Sequence, residues 1–209
     1  NDGEWHHIII IIQNTSSLGW EGVKIYVDEN RQTLYYWNTE NSNLLTTNLY
    51  WGIGARNNLG SIDRPYEGYI DEVSLWKKSL SHEEVKILYN QNKARTLNKF
   101  KQVPKRIGYG LLIDLISYWS FDGNANDLHR DNDGTVDGAT LSNGFYNDCY
   151  YFDGLNDRID VPKDDFELPN GSPLTINMWI NTDDATAGDP ISAWEDTGGI
   201  QNESGFGLY

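Results

Sequence analysis

The chain has a single cysteine, Cys149, among its 209 residues. One thiol excludes an intrachain disulfide framework and a cysteine-based zinc cluster. We expect it to be a small buried hydrophobe in the strand around Tyr150 and Phe152. Long apolar runs are also missing: the longest, Ile8–Ile12, is strand-sized, whereas a membrane-spanning helix needs ~20 residues. The sequence therefore predicts no membrane insertion.

Basic residues are scarce in the second half of the sequence. Leu115–Tyr209 holds 18 acidic and 3 basic residues, whereas residues 1–114 hold 13 of each. Because nucleic-acid binding needs Lys and Arg against phosphate, this balance argues against a nucleic-acid partner. Clustered carboxylates, Asn side chains and glycine turns suit a hard cation such as Ca²⁺. The alternative is a solvated acidic surface that keeps the protein soluble.

Aromatic residues are abundant, with eight Trp and thirteen Tyr, and they suit packed sheets or sugar-binding surfaces. Short apolar or alternating runs predict strands at His7–Ile12, Val23–Val27, Tyr69–Trp76, Ile116–Phe121, Tyr150–Phe152, Arg158–Val161 and Leu174–Ile180. Clusters of Gly, Asn and Asp, such as Gly52–Gly54 and Asn57–Asn58, predict turns between strands. This organisation is typical of an all-β sandwich.

Three side chains of the Tyr69–Trp76 strand are candidate core residues, namely Ile70, Val73 and Leu75. One helix interrupts the β pattern. Ser81 and Glu84 have the spacing of a capping box, and apolar residues follow on one helical face. These features predict a helix over Ser81–Asn92.

Several motifs occur in a recognisable order. The first group comprises Asp2–Ile12, Val23–Asp28, Tyr50–Ala55, Tyr66–Trp76 and Ser79–Val85; the second comprises Tyr118–Asp127, Asp133–Val136, Tyr151–Gly154 and Leu174–Ile180. The first group resembles the closing half of a laminin-G-like domain, and the second resembles the opening half. This resemblance implies an antiparallel, concanavalin A-like jelly-roll sandwich with one short helix after the closing strand.

The closing half precedes the opening half along the chain. We divide the sequence into residues 1–92, a basic linker at 93–112 with six Lys and Arg, and residues 113–209. A tandem array is the origin we favour, with the chain an excised piece that holds the end of one domain and the start of the next. The strands that the resemblance places between Tyr209 and Asn1 are then absent. Alternatively, the two halves pack as one permuted domain.

The resemblance implies a structural Ca²⁺ between the opening turn and the closing strand. The corresponding residues are Asp122 and Asp71, and Asn124 and Asp127 complete the expected ligand set. In the alternative interpretation, Asp122 and Asp127 only form turns and Asp71 accepts backbone hydrogen bonds.

Three tryptophans, Trp51, Trp179 and Trp194, are candidate platforms for stacking a sugar ring. Core packing is the favoured interpretation for Trp179, whereas Trp194 lies among loop residues and is the best candidate for an exposed platform. We expect the remaining strand tryptophans to belong to the core: Trp5, Trp76 and Trp119. His6 and His7 have no accompanying nucleophile, so we expect structural roles, with one side chain pointing into the sheet and the other out.

The sequence predicts a non-catalytic binding or adhesion module that recognises a glycan or a protein surface and is calcium-dependent if the metal site exists. We expect it outside the cell, on a cell or virion surface, beside neighbouring repeats or copies of itself. One alternative is a polysaccharide-degrading enzyme. Jelly-roll hydrolases of this type show a Glu-x-Asp-x-x-Glu strand that places their carboxylates, and the sequence has none. The other alternative is a structural spacer in a fibre.

Overall fold

A computed structural model describes residues 2–13, 22–33, 49–58, 61–92, 111–161, 171–182 and 188–195. These residues form antiparallel strands, one helix, α1 (His82–Asn92), and one helical turn at 111–113. The strands are β1 (Trp5–Ile12), β2 (Val23–Val27), β3 (Asn30–Arg31), β4 (Leu49–Ile53), β5 (Arg56–Asn58), β6 (Ser61–Asp63), β7 (Glu67–Trp76), β8 (Leu115–Trp119), β9 (Thr135–Asp137), β10 (Thr140–Asn143), β11 (Asp148–Asp153), β12 (Arg158–Val161), β13 (Leu174–Asn181) and β14 (Ile191–Glu195). No helix among these residues is long and apolar enough to cross a membrane.

The strands build two large sheets and a small hairpin. Sheet A has the order β10-β11-β7-β13-β1-β2-β3, and β8 pairs with β7 beside β11. Sheet B has the order β14-β4-β12-β9, and β5 pairs with β6. The fold is therefore the antiparallel β-sandwich that the sequence predicts, and α1 follows β7 as expected.

Both large sheets contain strands from both halves of the chain. In sheet A, β13 lies between β1 and β7 and pairs with both. In sheet B, β12 and β14 pair with the two edges of β4. The structure thus joins residues 1–92 and 113–209 through backbone pairing; the tandem-array origin of their order stays a prediction.

The core between the sheets follows strand alternation. Ile8, Ile10 and Ile12 of β1 lie in the same buried cluster as the predicted core residues of β7. The predicted Ile70, Val73 and Leu75 are all fully buried. The intervening Ile9 and Ile11 lie in a second buried cluster on the other face of sheet A. The five consecutive isoleucines therefore mark a strand covered on both faces.

Helix α1 covers part of the outer face of sheet A. Its buried residues Val85 and Leu88 share the second cluster with Ile9, Ile11 and Trp76. The capping box forms as predicted: the Ser81 backbone N–H donates to Glu84 Oε2 at 2.8 Å, and the Glu84 N–H donates to Ser81 Oγ at 3.3 Å. The helix begins one residue later than expected, at His82.

Two predicted turns are strands in the structure. Gly52 and Ile53 belong to β4, and Asn57–Asn58 belongs to β5. Glycine is required one residue after β4, because Gly54 has φ +86° and a Cβ there would meet the ring of Phe152. The glycines in this motif therefore reflect close packing rather than a single turn.

Candidate functional site

A row of side chains crosses four strands on the outer face of sheet A, beyond the part that α1 covers. Tyr151 of β11 pairs with Tyr69 of β7, Tyr69 pairs with Asn181 of β13, and Asn181 pairs with Trp5 of β1. Because neighbouring positions such as Ile70 and Phe152 are in the core, alternation places this row on the opposite face. All four side chains are half-buried.

The rings of this row contact one another. Tyr151 and Tyr69 have centroids 5.0 Å apart, and Tyr69 and Trp5 have centroids 6.2 Å apart although β13 separates their strands. The two rings therefore lean together over Asn181. Phe145, from the turn before β11, continues the contacts at 6.0 Å from Trp5. We call these four half-buried rings, Trp5, Tyr69, Phe145 and Tyr151, the aromatic strip.

Trp179 supports the strip from the neighbouring row. Phe145 stacks on its indole with centroids 3.7 Å apart and an angle of 12°, and Tyr89 of α1 stacks on it at 6.1 Å. Trp179 is 2% exposed, so its faces are covered in this structure. It holds Phe145 in place and links the strip to α1.

His7 is packed beside this stack. Its ring lies 4.9 Å from Trp179 and its Nε2 is 2.6 Å from Asn177 Oδ1. Burial lowers the pKa of His7 to about 4, so that the imidazole is neutral at neutral pH. His6 is partly exposed, and its ring nitrogens contact Asp28 at 2.6 Å and Asp2 at 3.1 Å. As predicted, alternation along β1 places the two histidines on opposite faces of the strand; His7 is buried and His6 is half-buried.

A polar network continues from His7 beneath α1. Asn177 Nδ2 donates to the Glu72 carbonyl at 3.2 Å and to Ser74 Oγ at 3.1 Å, and the Tyr118 hydroxyl donates to the Glu72 carboxylate. These groups are all buried. Since buried polar groups need hydrogen-bond partners, the network explains how a polar stripe is accommodated within an otherwise apolar face.

Carboxylates border the strip on the side away from Trp179. Glu67 and Asp153 pair with each other two residues from Tyr69 and Tyr151, which places them on the same face in the adjacent row. Their charges act on Tyr151, whose pKa is raised by burial and then by Glu67, Tyr69 and Asp153. The strip therefore lies between an aromatic stack and an acidic row.

Two of the predicted calcium ligands converge on the turn that carries Phe145. Asp71 is fully buried, and its Oδ2 accepts from the Tyr146 N–H at 2.9 Å. Asp122 Oδ1 lies 3.5 Å from the backbone nitrogen of Asp148. Glycine at 144 permits this approach, because a Cβ there would be 2.8 Å from Asp71 Oδ2. The donor chemistry of these carboxylates fits Ca²⁺, although no group of three His, Cys, Asp or Glu among the described residues is arranged around a cation position.

The other two predicted ligands make turn hydrogen bonds. Asn124 Oδ1 accepts from the Asn126 N–H at 2.9 Å. Asp127 Oδ1 accepts from the backbone N–H groups of Tyr118 and His129 at 2.9 and 2.8 Å. Asp127 therefore makes the turn contact, and Asp71 accepts the backbone hydrogen bond, that the alternative interpretation expects. Asp122 contacts the backbone of Asp148, a residue that the sequence did not single out.

The three candidate tryptophan platforms lie in different places. Trp51 is 2% exposed, in the core row that also contains Ala193 and Val161, and Trp179 is buried beneath Phe145. Neither presents a ring face to solvent. Trp194 is the register partner of Tyr50 in sheet B, and the side chains of both lie outside the described residues.

Trp5, predicted to be a core residue, is instead part of the strip, and Tyr69, Phe145 and Tyr151 were not recognised as a group. The signal for Trp5 was present: if Ile8 and Ile10 face the core, alternation directs position 5 to the other face. Trp76 and Trp119 are core residues as predicted, each 1% exposed.

Comparison with known proteins supports the resemblance over part of the chain. A laminin G family model, described as the concanavalin A-like lectin/glucanases superfamily, matches residues 1–86. No curated protein and no solved structure matches the chain. Residues 1–86 thus resemble a superfamily whose fold serves carbohydrate or protein binding as well as glucanase activity, and the match does not choose among these roles.

Proposed function

We propose that the chain is a non-catalytic carbohydrate-binding module of an extracellular or surface-exposed protein, and that the aromatic strip contacts the glycan. The observation that carries this proposal is the continuous contact of four half-buried rings on one face of sheet A. Flat rings bind the apolar C–H faces of pyranoses, while neighbouring polar groups hold the hydroxyls. The match of residues 1–86 to the concanavalin A-like lectin/glucanases family model includes carbohydrate binding among the roles of that fold.

A glycan suits the strip better than a large protein surface. Each ring has a total area of ~150–250 Å², so four half-buried rings together expose less than about 500 Å². A standard protein–protein interface needs ~800 Å² on each partner. A binding role also suits the strip better than hydrolysis, since glycoside cleavage uses two carboxylates that flank the scissile bond. Glu67 and Asp153 border the strip on one side, and an aromatic stack borders the other.

Calcium is the second part of the proposal. Asp71 and Asp122 contact the turn that carries Phe145, and they are the residues that would hold Ca²⁺; a bound ion would stabilise this end of the strip. Calcium would then raise glycan affinity through order at Phe145 rather than through contact with the sugar. The same ion would raise the melting temperature, because a ligand at ~100 times its dissociation constant stabilises the native state by about 2.7 kcal/mol.

Affinity electrophoresis through gels that contain soluble polysaccharides tests both parts. We expect Trp5→Ala and Tyr69→Ala to weaken retardation by about tenfold or more, which corresponds to ~1.4 kcal/mol. The exposed Leu128→Ala variant should bind as the wild type does, and thermal melts establish that each variant is folded. If calcium supports the turn, EDTA should weaken retardation of the wild type and have no further effect on Asp71→Asn. Equal retardation of wild-type and strip variants would contradict the assignment of the strip, and reducing-sugar release would contradict a non-catalytic role.

A further inference from the structure

The polar groups around the strip are mainly hydrogen-bond acceptors. Glu67 is exposed and Asp153 is half-buried in the row adjacent to Tyr69 and Tyr151. Asn181, within the strip row, already donates through Nδ2 to the Gly3 carbonyl at 2.7 Å. An ionised carboxylate only accepts hydrogen bonds, so the complementary groups on a ligand are donors, such as sugar hydroxyls.

The charge at this surface has one sign. After burial, the negative charges of Glu67, Asp153 and Asp157 help to raise the pKa of Tyr151. Within the described part of the chain, the hydrogen bonds and ring contacts of the strip involve no Lys or Arg. The whole chain carries a formal net charge of -15. A sulfated or uronic-acid polysaccharide would therefore approach like charges at the strip and across the molecule.

The dimensions of the row indicate an extended ligand. Tyr151, Tyr69, Asn181 and Trp5 lie on four consecutive strands. Neighbouring strands are ~4.8 Å apart, so the row spans about 14 Å across the strands. A single sugar ring covers one stacking position, whereas a chain of several sugars contacts Tyr151, Tyr69 and Trp5 together.

We infer that the strip binds an extended, uncharged polysaccharide whose chain crosses strands β11, β7, β13 and β1, with C–H faces on the rings and hydroxyls donating to Glu67 and Asp153. This inference rests on the proposed carbohydrate-binding function and names its ligand class. Glu67 is then a specificity-determining residue: its carboxylate accepts from a neutral sugar and repels an anionic one.

The test compares retardation of the full chain by three uncharged polysaccharides (hydroxyethyl cellulose, xyloglucan and galactomannan), by anionic alginate and by cationic chitosan. Each gel is run at low salt and at 1 M NaCl, where the Debye length is ~3 Å. We expect an uncharged polysaccharide to retard the wild type at both salt concentrations. Tyr151→Ala should abolish most of this retardation, and Tyr151→Phe, which keeps the ring, should retain it. Oligosaccharides of the same polymer should compete better as they lengthen, up to the span of the row.

Glu67→Lys provides the charge test with no ring altered. It should weaken retardation by the uncharged polymer severalfold and create salt-sensitive retardation by alginate. Glu67→Gln should show a smaller effect in both gels. Ring-dependent retardation by alginate or chitosan alone would overturn the inference while leaving carbohydrate binding intact. Absence of retardation by every polysaccharide would overturn the proposed function itself.

Discussion

Two adjacent histidines show how position on a strand decides the behaviour of a side chain. His7 is 1% exposed, between Trp179 and Asn177, whereas His6 is half-buried beside Asp28 and Asp2. The pKa of His7 is lowered to about 4 by burial, and that of His6 is raised by its hydrogen bond to Asp28. The contributions of His6 and His7 to the free energy of unfolding therefore change with pH in opposite directions.

We expect His7 to destabilise the fold in acid. Its pKa is about 4 when folded and 6.5 in the reference state, so the unfolded chain binds more protons between these values. The contribution is fully present above pH 6.5 and lost as the pH falls towards 4. At ~1.4 kcal/mol per pKa unit the loss is about 3 kcal/mol. In urea unfolding between pH 4 and 8, the free energy of unfolding should fall more steeply with decreasing pH in the wild type than in His7→Gln.

His6→Gln is the matched control for this measurement. Since the folded pKa of His6 is raised, its stabilising contribution is present below pH 6.5 and lost as the pH rises through the folded value. The two variants should therefore differ from the wild type at opposite ends of the pH range. Parallel stability curves for wild type and His7→Gln would show that His7 is not buried in a neutral form.

Orientation of single side chains was only partly predictable from the sequence. Alternation correctly places Ile70 in the core and puts His6 and His7 on opposite faces of β1. The sequence cannot tell that the face opposite the core is itself partly covered, because that depends on where α1 and the Phe145 turn pack. Trp179 and Trp5 illustrate this: they lie on the same face of sheet A, yet Trp179 is buried and Trp5 is half-exposed.

At the scale of elements, local signals predicted the helix closely. The capping box of Ser81 and Glu84 is formed, and Lys78 Nζ also contacts Glu84 Oε1 at 2.5 Å. We expect Ser81→Ala to lower the free energy of unfolding by about 1 kcal/mol, because an N-terminal N–H of α1 loses its acceptor. Ser81→Thr keeps the hydroxyl and should cost less. Urea unfolding at pH 7 measures both.

Ser79→Ala is the control for the cap, because Ser79 is a nearby half-buried serine outside the helix. Its effect should be within about 0.5 kcal/mol. If Ser79→Ala and Ser81→Ala destabilise equally, the capping hydrogen bonds do not account for the stability of α1.

The irregularity in β7 was not predicted, although the sequence contains its signature. Pairing with β13 shifts between Ser74 and Asp71, and Glu72 has φ +54°. The extra residue of this bulge lets Ile70 and Val73, three positions apart, both face the core. A spacing of three between core residues of one strand is what could have indicated the bulge.

Pairing between distant strands could not be predicted from the sequence for a different reason. A strand pattern gives the buried face but not the neighbour, so the position of β13 between β1 and β7 follows from contacts separated by about a hundred residues or more. The same applies to β12 and β14 beside β4. The strip depends on this arrangement, because its rings come from β1, β7 and the β11 region. The sequence shows that these aromatic residues are present, but it does not predict that they lie next to one another.

At the scale of the molecule, the shared sheets predict that residues 1–92 and 113–209 stay associated when the chain between them is cut. β13 is paired along its length with β1 on one side and with β7 on the other, and the core cluster contains residues from both halves. We therefore expect a chain cleaved at a protease site inserted after Phe100 to elute from a sizing column as one species. Elution as one species at micromolar concentration implies a dissociation constant below ~1 μM, which is a binding free energy of more than about 8 kcal/mol between the two pieces.

The control is a chain with an insertion of equal length that lacks the protease site. Separation of the two pieces in native buffer would contradict a shared sandwich, whereas separation in urea only as both pieces unfold is the behaviour expected of one cooperative domain.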